Sequence, residues 1–286
     1  MKNDPTGARP LEEPEPIGEE RADALRKLLA IVDRLRDPDG CPWDREQTLA
    51  SVAPHLVEES HELVEAVETG DEQHVVEEAG DLLMGIFLLS RIAEQEGRFD
   101  LARVAAAVSD KLVRRHPHVF SDGSADSSAA ALVNWEAAKK RERQAAQSDA
   151  SALAGVPRAL PALQRARRLC EKAVAAGFKW SDAEGALAKV REETRELGEA
   201  FEGLESAGGR ERLEHELGDL LIAAAILGTY VGIDPERALR QALRRFERRF
   251  RAMEEAIAAP LAECTLERMT EVWQEVKRAL DQEQSG

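Results

Sequence analysis

The sequence predicts an all-α protein built as a tandem duplication, and three observations carry that prediction. Ala, Leu, Glu and Arg dominate between a few short breaks, with apolar residues recurring at helical period. Alternating β-branched runs, the mark of strands, are few. The two halves also repeat rare residues at a nearly constant offset. Trp43 pairs with Trp180, Trp135 with Trp273, Lys139 with Lys277, and Gly80-Asp81-Leu82-Leu83 with Gly218-Asp219-Leu220-Leu221, all 137 or 138 residues apart. Glu58-Glu59-x-x-Glu62 returns as Glu192-Glu193-x-x-Glu196, and Lys111-x-x-Arg114-Arg115 as Arg245-x-x-Arg248-Arg249, both 134 residues on. The boundary falls near residue 150.

In chain order, residues 1–19 form a polar, proline-rich segment that reads as a disordered tail. Residues 20–143 make the first helical domain and residues 158–286 the second. Between them, 144–157 is small and polar, ends in Gly-Val-Pro and reads as a linker. SDGSADSS at 121–128 reads as a mobile surface loop. Within the first domain a helix is expected from about Leu49 to Glu68. Gly70 stops it and Asp71 caps the next, which runs into Leu82-Leu83-Met84-Gly85-Ile86-Phe87-Leu88-Leu89. A run with no polar face is expected to be buried on all sides.

Composition narrows the function. Acids outnumber bases 55 to 39, a net charge of −16, which argues against a general nucleic-acid coat protein. An anion binder would need its cations gathered locally or supplied by a metal. No apolar stretch is long enough for a membrane span, no signal core directs export, and three scattered cysteines fit a reduced, cytoplasmic protein.

The acidic motifs have a geometry. Glu59 and Glu62 share a helix face, as do Glu78 and Asp81, and the two pairs are centred symmetrically about Gly70. At about 1.5 Å per residue each pair lies roughly 14 Å from the turn on antiparallel neighbours, so they face each other. In the second half Glu193, Glu196, Glu216 and Asp219 are centred on Ser206, in a longer loop between Gly203 and Gly209. Carboxylates gathered in this way repel, by on the order of 4 kcal/mol for two charges about 4 Å apart at a dielectric near 20. Asp81 and Asp219 abut apolar runs, where an unpaired charge is costly. A cation belongs among them, and oxygen ligands suit Mg²⁺ or Mn²⁺. Gly80 and Gly218, within helices, are expected to admit another helix or a ligand.

Later in each half come cations at i, i+4: Lys111 with Arg115, and Arg245 with Arg249. Trp135 and Lys139 share that spacing, as do Trp273 and Lys277. Carboxylate-bound Mg²⁺ with Lys and Arg on the remaining oxygens suits a polyphosphate. The seven arginines from Arg237 to Arg251 also fit a solvated basic face or a nucleic-acid patch. Tryptophans more often anchor cores than stack on bases, and His116-Pro117-His118 reads as a helix stop with a packing or substrate role.

CPWD at 41–44, EESHE at 58–62, EEAGD at 77–81, GRFD at 97–100, RRHPHVF at 114–120 and NWEAAK at 134–139 resemble the N-terminal half of a MazG-type nucleoside triphosphate pyrophosphohydrolase. GVPRALPAL at 155–163, GFKW at 177–180, EETRE at 192–196, ELGD at 216–219 and FERRF at 246–250 resemble its C-terminal half. The resemblance implies an all-α homodimer in which MazG units pair into helical bundles. The implied reaction is hydrolysis of (d)NTPs to (d)NMP and diphosphate, in the house-cleaning of nucleotide pools. It also implies Mg²⁺ ligands at Glu59, Glu62, Glu78 and Asp81, and at Glu193, Glu196, Glu216 and Asp219. By the same resemblance Glu58 and Glu192 orient or deprotonate the attacking water. Lys111, Arg115, Lys139, Arg245, Arg249 and Lys277 hold phosphates, and Trp135 and Trp273 lie near the nucleotide.

Two departures bear on the second half: His215 stands in place of Glu77, and Arg212 and Arg245 stand where relatives often carry Lys. Two other readings stay open. One is a nucleotide-binding regulatory module with one or both sites inactive. The other is a di-iron carboxylate protein suggested by Glu58-x-x-His61, which needs a second Glu-x-x-His that residues 77–81 do not supply.

Overall fold

The computed structural model describes residues 18–121, 124–145, 149 and 151–283. The expected tail lies outside these residues up to position 17, as do parts of the expected linker (146–148 and 150) and surface loop (122 and 123). Among the described residues the protein is helical throughout, without a strand. The chain divides into two compact units, Met1–Ser148 and Asp149–Gly286.

In the first unit α1 (Glu19–Leu35) and the short α2 (Pro42–Glu46) lead into a hairpin of α3 (Leu49–Thr69) and α4 (Glu72–Gln95). Local chemistry sets the hairpin. Thr48 and Ser51 form a reciprocal capping box at the start of α3. Gly70 closes that helix at φ 79°, a left-handed turn that glycine adopts without strain. One residue later the Asp71 carboxylate accepts from the His74 backbone N–H and opens α4.

Val32, Val52, Phe87, Leu88 and Ile92 form the buried core, flanked by Leu28, Leu29, Leu56, Leu83 and Met84. α3 and α4 meet closely at Gly85, where a Cβ would stand 2.8 Å from the Leu56 side chain. The apolar run after Asp81 is not buried on every side, because Ile86 remains 38% exposed. No described helix of the unit covers that face of α4. The unit is completed by α5 (Leu101–Arg115), α6 (Pro117–Phe120) and α7 (Ser128–Ala145).

The second unit repeats the plan: α8 (Ala162–Ala175), a hairpin of α9 (Ala183–Glu202) and α10 (Gly209–Val231), then α11 (Pro235–Ile257) and α12 (Leu266–Glu283). Its hairpin turns through residues 203–208, the longer connection that the spacing of its acidic motifs requires. Small residues line its interior, with Ala186, Ala200, Ala223 and Ala225 buried beside Met253 and Val272. On α10, Leu217, Leu221 and Ile222 stay about half exposed, again for want of a covering helix within the unit. No single described helix is long and apolar enough to cross a membrane. The α10–α11 pair has the length and composition together but bends by 107°.

Candidate functional site

The α3–α4 hairpin does what its spacing predicts. Glu59 on α3 and Glu78 and Asp81 on α4 each bring a carboxylate oxygen within 4.8 Å of the others. Glu59 shows the electrostatic consequence. Desolvation pushes its carboxyl above the ordinary range, and repulsion from Asp81, Glu62 and Glu78 pushes the same way. Glu78 Oε2 is buried with no donor reaching it, while Oε1 faces His74 Nε2 at 2.8 Å. An acceptor left bare beside two further carboxylates fits a hard cation.

Two expectations change here. Glu62 is exposed and stands outside the tight trio, although it still adds to the repulsion on Glu59. Asp81 is exposed rather than set against buried apolar surface, although its carboxylate faces Glu59 on α3. Among the described residues, nothing beyond the helix's own backbone lies within 4 Å of a Cβ built at Gly80 or Gly218, which leaves both positions open to an approaching group. Glu58, the expected water-handling carboxylate, lies 3.3 Å from His55 Nδ1. His61 belongs to no metal-like cluster among the described residues.

The second hairpin is arranged differently. Its possible ligands form two groups, Glu192, Glu193 and Glu196 on α9 and His215, Glu216 and Asp219 on α10. His215, in place of Glu77, approaches Asp219 at 3.4 Å. Glu193 is buried at 4% exposure, and its Oε2 has no hydrogen-bond partner. Its other oxygen is held by Lys189 Nζ at 2.5 Å, and the same ammonium reaches Glu192 at 3.0 Å. These hydrogen bonds, to Glu193 first and Glu192 second, raise the Lys189 ammonium well above the usual lysine range.

Sequence reasoning passed over Lys189, although its i, i+3 and i, i+4 spacing to the two glutamates was a usable signal. His74 was missed in the same way. Its counterpart Arg212 lies 4.0 Å from Glu216.

The basic side chains are partly committed. Arg115 binds Glu142 through Nε at 3.1 Å and Nη2 at 2.6 Å, and its guanidinium lies over Trp135 at 5.1 Å. Arg249 pairs with Asp281 at 2.6 Å. Both arginines tie the last helix of their unit to the preceding long one, a clamp formed by residues the motifs did not include. Lys139 pairs with Glu136 at 2.9 Å, and Arg245 and Lys277 are exposed. Lys111 is partly buried.

Among the tryptophans, Trp43 is 57% exposed and none belongs to the fully buried core. Trp273 packs against Phe246 at 5.4 Å between ring centroids. With Phe250, Met253, Met269 and Thr270 these two line an apolar cavity of about 230 Å³ between α11 and α12. His116 ends α5, bonds back to the Leu112 carbonyl at 2.8 Å and packs on Trp135.

Fold and site together define a helical protein whose duplicated hairpins carry acidic boxes suited to a divalent cation. Residues 47–120 match the MazG nucleotide pyrophosphohydrolase domain. A nucleoside triphosphate pyrophosphohydrolase of Escherichia coli is 44% identical over 258 residues, 89% of this chain and 97% of the relative. A nucleoside triphosphate pyrophosphohydrolase/pyrophosphatase MazG of Thermotoga maritima is 39% identical over 88% of this chain and 95% of its own length. A crystal structure of a mazG-related protein from Thermotoga maritima, 29% identical, covers 40% of this chain and 98% of its own, with a TM-score of 0.36. The chain belongs to the MazG family of nucleotide pyrophosphohydrolases.

Proposed function

We propose that this protein hydrolyses nucleoside triphosphates, (d)NTP and water giving (d)NMP and diphosphate, with Mg²⁺ or Mn²⁺, and that it thereby clears nucleotide pools in the cytoplasm. The observation that carries the reading is the convergence of Glu59, Glu78 and Asp81 within 4.8 Å in a chain whose near-full-length relatives bear the name of that activity. The divalent cation would be held by Glu59, Glu78 and Asp81, with Glu62 turning inward to join them once the ion is bound, and in the second unit by Glu193, Glu196, Glu216 and Asp219. When bound it supplies positive charge that polarises the phosphates and acidifies a nearby water.

The chain's own groups do the rest. Glu58 or Glu192 accepts the proton of the water whose oxygen attacks the α phosphorus. The bond from that phosphorus to the bridging oxygen breaks, and diphosphate leaves with the bond's electron pair. Lys111, Lys139, Arg212, Arg245 and Lys277 neutralise phosphate oxygens. Arg115 and Arg249 would join them, while their pairs with Glu142 and Asp281 fix the helices that carry those cations. Trp135 and Trp273 offer faces to the nucleotide, the latter on the wall of an apolar cavity.

A second copy of the chain covers the bare faces of the hairpins in this reading. The half-exposed Leu217, Leu221 and Ile222 and the open space over Gly80 and Gly218 support a homodimer. Nucleic acid is not the expected partner of α11. Arg240 leans on Glu236 at 3.9 Å and Arg249 on Asp281, which reduces the charge available to a phosphate backbone. The test is diphosphate release from a panel of nucleotides by the full chain. Turnover that survives E59Q/E193Q, with the helices intact by circular dichroism, would overturn the assignment.

A further inference from the structure

The two acidic boxes share a plan but differ in what stands beside them. Counting along the duplication, Lys189 takes the position of His55. In the first unit His55 reaches the exposed Glu58 and packs edge-on against Trp43, while Glu59, Glu78 and Asp81 stand with carboxylate oxygens within 4.8 Å of one another. In the second unit the ammonium of Lys189 reaches past Glu192 to the buried Glu193, the counterpart of Glu59. That glutamate is 4% exposed with one oxygen lacking any partner, so its charge is expensive without a cation. The lysine supplies that cation from within the chain.

We propose that Lys189 is a built-in counter-ion of the second box, so that this box takes a free divalent cation more weakly than the first and binds it cooperatively with a triphosphate. The inference rests on the reading of both hairpins as metal boxes. A divalent ion entering beside Glu193 meets an ammonium within hydrogen-bonding distance of the same carboxylate. Either the ion pair breaks or two cations share one site, and both lower affinity. A bound triphosphate brings enough negative charge to relieve that repulsion, which links the two ligands. The first box has no lysine or arginine at the matching position, and the basic side chain that reaches its trio, His74 on Glu78 at 2.8 Å, is an imidazole rather than an ammonium and contacts Glu78 rather than Glu59. Lys189 is therefore a positioning residue whose effect is read in metal affinity.

The experiment is a Mn²⁺ titration of the full-length protein by electron paramagnetic resonance, with and without a non-hydrolysable triphosphate analogue. Two classes of Mn²⁺ are expected, the tighter one lost in E59Q/E78Q and the weaker one lost in E193Q/E216Q. K189M should tighten the weaker class at least about tenfold, roughly 1.4 kcal/mol, and flatten its dependence on the analogue. K189R should leave it as in the unaltered protein. A weaker class unchanged within twofold in K189M overturns the proposal and leaves the metal boxes standing. So does a finding that E59Q/E78Q removes the weaker class, which needs no lysine variant to fold. If neither glutamine pair alters Mn²⁺ binding, the reading of the boxes falls and the proposal with it.

Discussion

The two hairpins descend from one pattern, yet they settle the same electrostatic problem by different means. In the first, three carboxylates on α3 and α4 come together, and Glu59 is pushed toward its protonated form. In the second, the acids stay grouped by helix, and Lys189 satisfies the most buried of them. A repeated motif therefore does not guarantee a repeated site. One substitution a helical turn away, His55 in one half and Lys189 in the other, changes what the box asks of its ligand. His215 in place of Glu77 separates the halves further.

The sharpest way to break this comparison is to disable each half in turn. E59Q and E193Q should each remove the turnover of their own half. The double variant should lose at least about 10²-fold, the scale of deleting one electrostatic stabiliser from an active site, as measured by diphosphate release. A single variant that matches the double would mean that one box carries all the chemistry.

Metal removal comes next. If repulsion in the first box is unrelieved, a divalent cation at 100 times its Kd should stabilise the fold by about 2.7 kcal/mol. The midpoint of thermal unfolding should rise by several degrees over the chelator-treated protein. The gain should shrink in E59Q, whose midpoint without metal should already be higher. The sign follows from the raised carboxyl of Glu59. Its charged form is disfavoured by folding, so ionising it costs stability as pH rises through the ordinary carboxylate range toward its folded value.

The clamps give the opposite sign. Hydrogen bonding to Arg115, before any other influence, holds the Glu142 carboxyl below its usual range. Its contribution is fully present above the unfolded carboxylate value and is lost as pH falls through the lower folded one. R115M should cost about 1–2 kcal/mol at neutral pH and flatten the acid side of the stability profile in thermal melts. Glu142 is only partly exposed, at 28% for its side chain, so the loss should exceed that of a free surface pair.

The smallest effect concerns packing. G85A should destabilise by about 1 kcal/mol in chemical denaturation, because its Cβ would meet Leu56 at 2.8 Å. The second half already carries the buried Ala223 at this place. If G85A proves neutral, the two hairpins are packed alike after all.

Much of the first site was legible because it is a matter of helical period. Gly70 and Asp71 fix where the chain reverses, and equal spacing on either side brings Glu59 opposite Glu78 and Asp81. That Glu62 stands outside the trio was not legible, because Glu78 and Asp81 have the same i, i+3 spacing and both belong to it. The Arg115–Glu142 and Arg249–Asp281 clamps join residues 27 and 32 positions apart, too far for periodicity to find. The exposure of Asp81 and Ile86 was not legible either. An apolar run looks the same whether its last face meets a helix of its own unit or is left open.

By itself the sequence determined the helices, the duplication, the two hairpin turns and the family, since these depend on local capping, period and residue identity along one strand of chain. Only the tertiary structure decided which carboxylates meet, which cations are already engaged and which box holds its own counter-ion. Those outcomes depend on side chains a few ångströms apart in space, where charge and desolvation are strongest.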